Sequence, residues 1–226
     1  EEHAVIVMSD HSQTGVEERL NLADVFSSWR VLVPADPAPV EAEIALCPSA
    51  RSAMVYVLDP AERGELVKRA IEALDGVDGI ELVITCRDGE ALVRSARGEL
   101  RFAPGGQLVD GRGKSWSVDG EHGVLGLEIG DGRVASDDYP DALGRLWSAL
   151  ECPHAGDVLL SASPGFEFVD WGGADHVGGG SHGSLDRDDS AGVLLVSGMD
   201  VPEREEWSIV DVAPLVLEHF HVRLGG

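Results

Sequence analysis

Short runs of apolar residues alternate with polar, glycine-containing segments along most of the chain. The continuous apolar run Ala4–Met8 is typical of a strand buried on both faces of a parallel sheet, and the runs in GDVLLSAS and AGVLLVSG predict two further buried strands. Three other segments predict further strands, the first of them short: Arg30–Val33, Ala53–Leu58 and Gly79–Cys86. The chain is therefore expected to build an α/β sheet.

Helical spacing of apolar residues occurs between several of these strands. Pro60 suits the first turn of a helix that extends to Leu74, and the apolar side chains of that segment form one stripe. Helices are also predicted over Tyr139–Leu150 and Val210–Phe220. The segment Gly15–Ser28 is interpreted as a turn followed by a short amphipathic stretch, and the proline-rich PADPAPVEAE as a loop.

The middle of the chain differs from its two ends. After the predicted strand–helix–strand unit comes EALVRSARGELRFAPGGQLVDGRGKSWSV, whose short alternating strands predict an antiparallel patch. Residues 60–137 are therefore interpreted as a small α+β insertion in a core made of residues 1–59 and 138–226. The chain begins Glu1–Glu2–His3 and enters a strand at once, which indicates a piece of a longer protein.

The charge of the chain excludes several classes of partner. A formal net charge of −24 at pH 7 repels nucleic-acid backbones and anionic membranes. No apolar run is long enough to span a bilayer, and no signal peptide is visible. The three cysteines, Cys47, Cys86 and Cys152, are too widely spaced for a disulfide framework or a zinc knuckle, and they are interpreted as core residues of a cytoplasmic protein.

Two short motifs carry candidate metal chemistry. Asp10–His11 follows the first predicted strand, and the ends of parallel strands are where open α/β sheets place their ligands. His182 lies in GGGSHGSLDRDD, which is part of the long glycine-rich loop predicted for FEFVDWGGADHVGGGSHGSLDRDDS. Carboxylate and imidazole together suit zinc, manganese or iron. Taken alone, an aspartate at a strand end is equally a turn cap, and the histidine beside it a solvated side chain.

The order of the motifs resembles the C-terminal half of the alkaline phosphatase superfamily. The segment VIVMSDHSQTGVEERLNL, a long intervening region, GGGSHGSLDRDDSAGVLLVSG and SIVDVAPLVLEHF follow one another as in the type I phosphodiesterase/nucleotide pyrophosphatase group. The matching residues are Ser9–Asp10–His11, His182–Gly183 and Asp211–Val212–Ala213–Pro214. The resemblance covers both ends of the chain well and the middle only loosely.

The resemblance implies a three-layer α/β/α sandwich and a metal-dependent hydrolase of phosphodiesters or nucleotide pyrophosphates. It assigns Asp10 and His11 to one divalent ion and His182 to a second, with zinc as the expected metal and manganese as the alternative. Two such ions clamp the attacking and leaving oxygens of a phosphoryl transfer. The sequence departs from the family at Ser12, where glycine is the rule. The family's nucleophile, an early aspartate ligand and an Asp-x-x-x-His pair have no counterpart here and are expected upstream.

Several other residues are candidates for chemical roles. Thr14 follows the Asp-His pair, but the family architecture gives it no nucleophilic role. The pair Asp175–His176 is a candidate substrate contact or ligand, against the alternative that it orders its loop through hydrogen bonds. The acidic residues Asp186, Asp188 and Asp189 lack the spacing of a calcium loop, which favours a solvated acidic turn.

Alternative functions remain open at the level of the sequence. Within the superfamily, the chain could belong to a phosphomonoesterase, a sulfatase or a phosphonate hydrolase. Outside it, the chain could be a folded metal-binding or interaction module without turnover. Strands supplied by an upstream half would leave a hydrophobic edge or face exposed here, so self-association is also predicted.

Overall fold

One ten-stranded mixed sheet organises most of the chain in the computed structural model, which describes residues 3–32, 41–204 and 206–222. The chain divides into two units. The large unit is Gln13–Ser190, and the small unit combines Glu1–Ser12 with Ala191–Gly226. The fold is therefore mixed α/β, as the sequence predicts. Among the described residues, no helix has the length and apolar character needed to cross a bilayer.

The large unit contains thirteen of the strands and four of the helices that are described. Its strands are β2 (Thr14–Leu20), β3 (Val31–Leu32), β4 (Ile44–Ser49), β5 (Ser52–Val57), β6 (Ile80–Arg87), β7 (Glu90–Ser95), β8 (Gly98–Val109), β9 (Ser115–Gly120), β10 (Leu127–Gly130), β11 (Arg133–Ser136), β12 (Val158–Ala162), β13 (Gly165–Phe168) and β14 (Gly180–Ser181). Its helices are α1 (Leu22–Val25), α2 (Arg63–Leu74), α3 (Ala142–Leu150) and α4 (Arg187–Ser190), with a 3-10 turn at His122–Leu125.

The strands of the large unit form two sheets. The ten-stranded sheet has the order β10-β11-β8-β7-β6-β12-β5-β4-β3, and β9 pairs with β8. A three-stranded sheet has the order β13-β2-β14. The predicted strands at Arg30–Val33, Ala53–Leu58 and Gly79–Cys86 are confirmed as β3, β5 and β6.

The centre of the large sheet is a split strand–helix–strand unit. Strands β5 and β6 both pair antiparallel with β12, which lies between them, and α2 connects β5 to β6. All five residues of β12 are buried. Leu160 packs in the cluster that contains Ala70 of α2, whereas Leu159 packs in the cluster that contains Leu143 of α3. The continuous apolar pattern of β12 therefore reflects cover on both faces, as predicted.

The predicted antiparallel patch is confirmed as β7, β8 and β9, which pair in succession. Strands β6 and β7 are joined by Asp88–Gly89, whose φ angles of 54° and 80° suit the tight turn of a two-residue hairpin. The sheet continues across both limits of the predicted insertion at 60–137, because β6 pairs with β12 and β12 with β5. The assignment of this range as an insertion into a larger family core stays a prediction.

The small unit corrects the prediction for the two outer apolar runs. Its elements are β1 (Val5–Met8), β15 (Leu194–Ser197), a 3-10 turn (Ile209–Asp211) and α5 (Val212–His219). Strand β1 pairs only with β15 among the described residues, and the pairing is antiparallel. The prediction of a parallel strand buried on both faces is therefore wrong for β1, and the prediction of a buried strand is wrong for β15, because uninterrupted apolar sequence does not distinguish a covered strand from an exposed one.

Three further predictions change in the large unit. The segment Gly15–Ser28 contains β2 before its short helix, because β2 finds partners in β13 and β14, which are distant in sequence. The glycine-rich segment between β12 and β15 includes these short strands and α4, so it is not one long loop. All three cysteines are exposed, so their interpretation as core residues is wrong. The proline-rich loop lies largely outside the described residues.

One face of the β1–β15 pair is apolar and exposed. Val5, Val7, Val193 and Leu195 are each at least half exposed, and Val7 lies directly opposite Leu195. Clustered exposed apolar side chains on a strand pair promote association. This apolar face matches the predicted exposure of a hydrophobic sheet face.

We expect Leu195→Lys to reduce self-association of the chain, because it places a charge in the centre of the apolar face. Sedimentation velocity over a concentration series measures this. Association of the unaltered chain should strengthen with added salt, since salt screens the repulsion between copies of charge −24. Val177→Lys, at an exposed apolar position of the large unit, is the control. A strictly monomeric unaltered chain at high concentration and high salt would contradict the prediction.

Candidate metal centre

The Asp10–His11 pair emerges from the end of β1 in the small unit. Ser9 fixes this end: its backbone N–H donates to the carbonyl of Val193 at 3.0 Å, and its Oγ accepts from the Val193 N–H at 2.9 Å. The backbone of Gly192 lies close to Ser9, since a Cβ atom added at Gly192 would be 3.0 Å from Ser9 Oγ. The backbone that carries Asp10 is therefore anchored to the strand pair immediately before the candidate ligands.

The side chains of Asp10 and His11 converge. Nδ1 of His11 lies 2.8 Å from the carbonyl oxygen of Ser12, so this nitrogen is the donor, and in the neutral ring Nε2 carries the lone pair. Nε2 lies 3.5 Å from Oδ2 of Asp10, while Oδ1 accepts from the His11 N–H at 3.1 Å. A histidine that donates its other ring N–H to a backbone carbonyl has the orientation usual for metal ligands.

The separation of the two atoms suits a shared cation. Two ligands held at about 2.0–2.2 Å by one tetrahedral zinc ion lie about 3.4 Å apart. Asp10 Oδ2 and His11 Nε2 are 3.5 Å apart. The pair therefore fits one metal ion, and it is compatible with an ion pair if the imidazole is protonated.

His182 lies in the large unit, directly after β14. Its carbonyl accepts from the backbone N–H of Arg51 at 2.9 Å. The next residue, Gly183, has φ +110°, a conformation that side chains disfavour. The glycine therefore permits the turn that follows His182. The structure brings Asp10 and His11 together in one unit and places His182 in the other. Within the described residues, no three His, Cys, Asp or Glu side chains are grouped as a metal site.

A buried arginine organises the turn that carries His182. The side chain of Arg51 is 1% exposed and uses every nitrogen. Its Nε and Nη2 donate to the carbonyls of Phe166 and Ser163, both at 3.0 Å. Its Nη1 contacts the carboxylate of Asp189 and the hydroxyl of Thr14. We call Arg51, Asp189 and Thr14 the arginine cluster.

Asp189 connects this cluster to the His182 turn. Its side chain is 2% exposed. Oδ1 accepts from the Thr14 hydroxyl at 2.6 Å, and Oδ2 accepts from the Ser184 N–H at 2.8 Å. The turn between β14 and α4 is thus held on one side through His182 and on the other through Ser184. The prediction of a solvated acidic turn is wrong for Asp189, because Arg51 neutralises it inside the fold.

Sequence reasoning missed Arg51 and assigned Thr14 no partner. Arg51 follows β4 in a tight turn in which Ala50 adopts φ +51°. An arginine in a turn is ordinarily solvated, and its partners are all distant in sequence. The Thr14 hydroxyl donates to Asp189, and the expectation that Thr14 is not a nucleophile stays a prediction.

The pair Asp175–His176 belongs to a second polar network of the large unit. Nδ1 of His176 lies 2.7 Å from Oε2 of Glu167, and its backbone N–H donates to Oε1 at 3.1 Å. Asp175 accepts from the Val177 N–H at 3.0 Å and lies 3.4 Å from Arg19. These bonds fix the loop onto β13, which supports the loop-ordering alternative. The substrate role of both residues stays a prediction.

Glu167 is the buried centre of this network. Its side chain is 1% exposed. Burial by itself raises the pKa of the Glu167 carboxyl, but the hydrogen bonds from the backbone and ring of His176 lower it, and the net pKa lies below the ordinary value. The ionised carboxylate is therefore the form that the fold stabilises.

Comparisons with known proteins give no match: no protein-family model fits the chain, and no curated protein or solved structure is significantly similar to it. The assignment of chemistry therefore depends on the residues and their geometry.

We expect Arg51→Met to lower the free energy of unfolding of the large unit by about 3–5 kcal/mol, because it leaves the buried Asp189 carboxylate unpaired. Urea denaturation measures the change. Arg87→Met removes an arginine whose side chain is 72% exposed, and this control should cost less than about 1 kcal/mol. Equal losses in the two variants would contradict a stabilising role for the cluster.

We expect Glu167→Gln to change the acid sensitivity of the fold. A carboxyl whose pKa is lower in the folded than in the unfolded state stabilises the fold above its unfolded pKa of about 4.3. That contribution disappears as the pH falls through the folded pKa. The stability difference between the unaltered chain and Glu167→Gln should therefore be constant near neutral pH and shrink below about pH 4.3. Denaturation at a series of pH values tests this, with Glu65→Gln at an exposed helix position as control. A difference that does not change with pH would refute it.

Proposed function

We propose that this chain is the metal-binding part of a phosphate-ester hydrolase similar to the type I phosphodiesterase/nucleotide pyrophosphatase group of the alkaline phosphatase superfamily. The observation that carries the proposal is the 3.5 Å approach of Asp10 Oδ2 and His11 Nε2. Both atoms are acceptors when the imidazole is neutral, so a cation between or beside them would stabilise their convergence. The carbonyl of Ser12 selects the ring form that leaves Nε2 as the acceptor.

The proposal places one divalent ion, zinc or alternatively manganese, on Asp10 and His11 and a second on His182. The fixed turn around His182 supports this role, because a metal ligand needs a rigid backbone. When bound, a divalent ion at such ligands would supply Lewis-acid stabilisation of the oxygens of a phosphate ester. The ions, rather than the acidic protein, would attract the anionic ester. The nucleophile is proposed to lie outside this chain.

A three-layer α/β/α sandwich is the proposed fold of the complete core. It is supported by the central strand β12, which is covered by α2 on one face and by α3 on the other. The cytoplasm is the proposed compartment, which the three free and exposed cysteines support.

Metal content tests the site directly. After loading with zinc and extensive dialysis, we expect elemental analysis of the unaltered chain to find bound zinc. Asp10→Ala should remove the share held by the first site, and His182→Ala the share held by the second, because each variant deletes a ligand. Asp200→Ala and His122→Ala, at exposed positions of the small and large unit, are the matched controls and should keep the full content.

Activity distinguishes the alternative functions. Metal-dependent cleavage of bis-p-nitrophenyl phosphate would support the phosphodiesterase assignment. A preference for p-nitrophenyl phosphate or p-nitrophenyl sulfate would favour the related phosphomonoesterases or sulfatases. If the chain binds zinc, Asp10→Ala and His182→Ala each lower its zinc content, and none of these esters is hydrolysed, the chain is a metal-binding module without turnover. Absence of zinc above background in the unaltered chain would reject the metal centre itself.

A further inference from the structure

The imidazole of His176 uses only one of its two ring nitrogens within the part of the chain that the structure describes. Nδ1 lies 2.7 Å from Oε2 of Glu167, and the backbone N–H of His176 donates to Oε1 at 3.1 Å. The fold stabilises the ionised Glu167 carboxylate, which can only accept, so Nδ1 is the donor. Nε2 therefore carries the lone pair of the neutral ring, and no described residue hydrogen-bonds to it.

The imidazole is accessible from solvent, whereas the carboxylate that holds it is not. The side chain of His176 is 37% exposed, and the side chain of Glu167 is 1% exposed. Gly172 and Gly178 lie on either side of the histidine in the chain, and a Cβ atom added at either glycine would have no atom within 4 Å. The loop that carries His176 therefore borders open space, and a small molecule can approach the ring.

Glu167 has a fixed place beside the ring. It lies on β13 and pairs directly with Arg19 of the parallel strand β2. Nε of Arg19 lies 3.4 Å from Oε1 of Glu167, and Nη1 of the same arginine lies 3.4 Å from Oδ2 of Asp175. Oε2 is the oxygen that faces the imidazole. A rigid strand thus presents one carboxylate oxygen to Nδ1, the arrangement in which a carboxylate orients a reactive histidine.

From this arrangement we propose that His176 is a nucleophile toward activated carboxylic esters, with Glu167 as its positioning residue. The Nε2 lone pair attacks the acyl carbon, the bond to the leaving oxygen breaks, and the acylated ring carries a positive charge. Glu167 stabilises that charge through the proton on Nδ1. Water then attacks the acyl carbon and the bond to Nε2 breaks. The carboxylate and the protons of the water pass to solvent, and the free imidazole is restored.

This activity is separate from the proposed hydrolysis of phosphate esters. It requires no divalent ion, and it uses neither the Asp10–His11 pair nor His182. The loop-ordering role of His176 requires only the hydrogen bonds to Glu167. The free and accessible Nε2 is the feature that the ester chemistry adds to that role.

Two other histidines of the large unit provide matched controls. His122 and His154 are both exposed. Neither ring is hydrogen-bonded to a carboxylate in the described ranges 3–32, 41–204 and 206–222. They therefore report the reactivity of an ordinary imidazole that solvent reaches.

The test is hydrolysis of p-nitrophenyl acetate by the full chain in the presence of EDTA, which removes divalent ions. We expect His176→Gln to lower the rate of p-nitrophenolate release by about fivefold or more, whereas His122→Gln should keep nearly all of it. The rate should rise with pH through a single deprotonation, because only the neutral ring has a lone pair on Nε2.

Glu167→Gln separates positioning from folding. This variant should lower the rate at high pH and move the midpoint of the pH–rate curve to lower pH, because the ring loses the negative charge that favours its protonated form. Glu65→Gln, at an exposed helix position, should leave the curve unchanged. A lower rate with an unmoved midpoint would overturn the role of Glu167.

Labelling of the unaltered chain gives a reading that does not depend on the folding of any variant. Limiting diethyl pyrocarbonate, an electrophile that neutral imidazoles attack, should modify His176 before His122 and His154, as peptide mass spectrometry determines. Slower modification of His176 would overturn the proposal. So would equal rate losses in His176→Gln and His122→Gln, or a rate no greater than that of 4-methylimidazole at the same concentration. Because EDTA is present throughout, failure of the metal centre would not affect these outcomes.

Discussion

The buried ion pair between Arg51 and Asp189 is the interaction on which the candidate chemistry of the large unit depends. It joins the turn between β4 and β5, the start of β2, the turn after β12 and the helix α4. Isolated charges inside a protein are costly, so each of these segments has a fixed place only when the others are present. The same residues fix the position of His182, because its carbonyl accepts from the Arg51 N–H and the nearby Ser184 N–H donates to Asp189.

The candidate ligands Asp10 and His11 matter because the net charge of the chain does not by itself select one kind of cation. Asp10 and His11 offer oxygen and nitrogen on the small unit, a set that suits zinc or manganese. A strongly acidic protein attracts cations without selecting among them, so selection has to come from local donors of this kind.

The sequence predicted those elements whose pattern is local. The stripe of α2, the apolar run of β12 and the antiparallel strands β7–β9 all follow from spacing and turn chemistry, and all are present. The apolar pattern of β1 does not itself show whether the strand is covered or exposed, since an apolar strand carries the same pattern in both cases. The pairing of Arg51 with Asp189 was not predicted for a related reason. The two residues are far apart in sequence, and no periodic pattern indicates that they are in contact. The Asp10–His11 pair could be identified from the sequence because its two residues are adjacent in the chain.

The position of β12 has a consequence for how the chain acquires its structure. This strand lies between β5 and β6, yet it is synthesised after both. Val158 therefore pairs with Val55, a residue that is distant in sequence. Until it arrives, β5 and β6 leave an open slot lined by apolar side chains and unpaired backbone groups. Pairings between such distant segments form slowly. A nascent chain would therefore expose this slot during synthesis, and the slot is the place where misfolding or chaperone binding should concentrate.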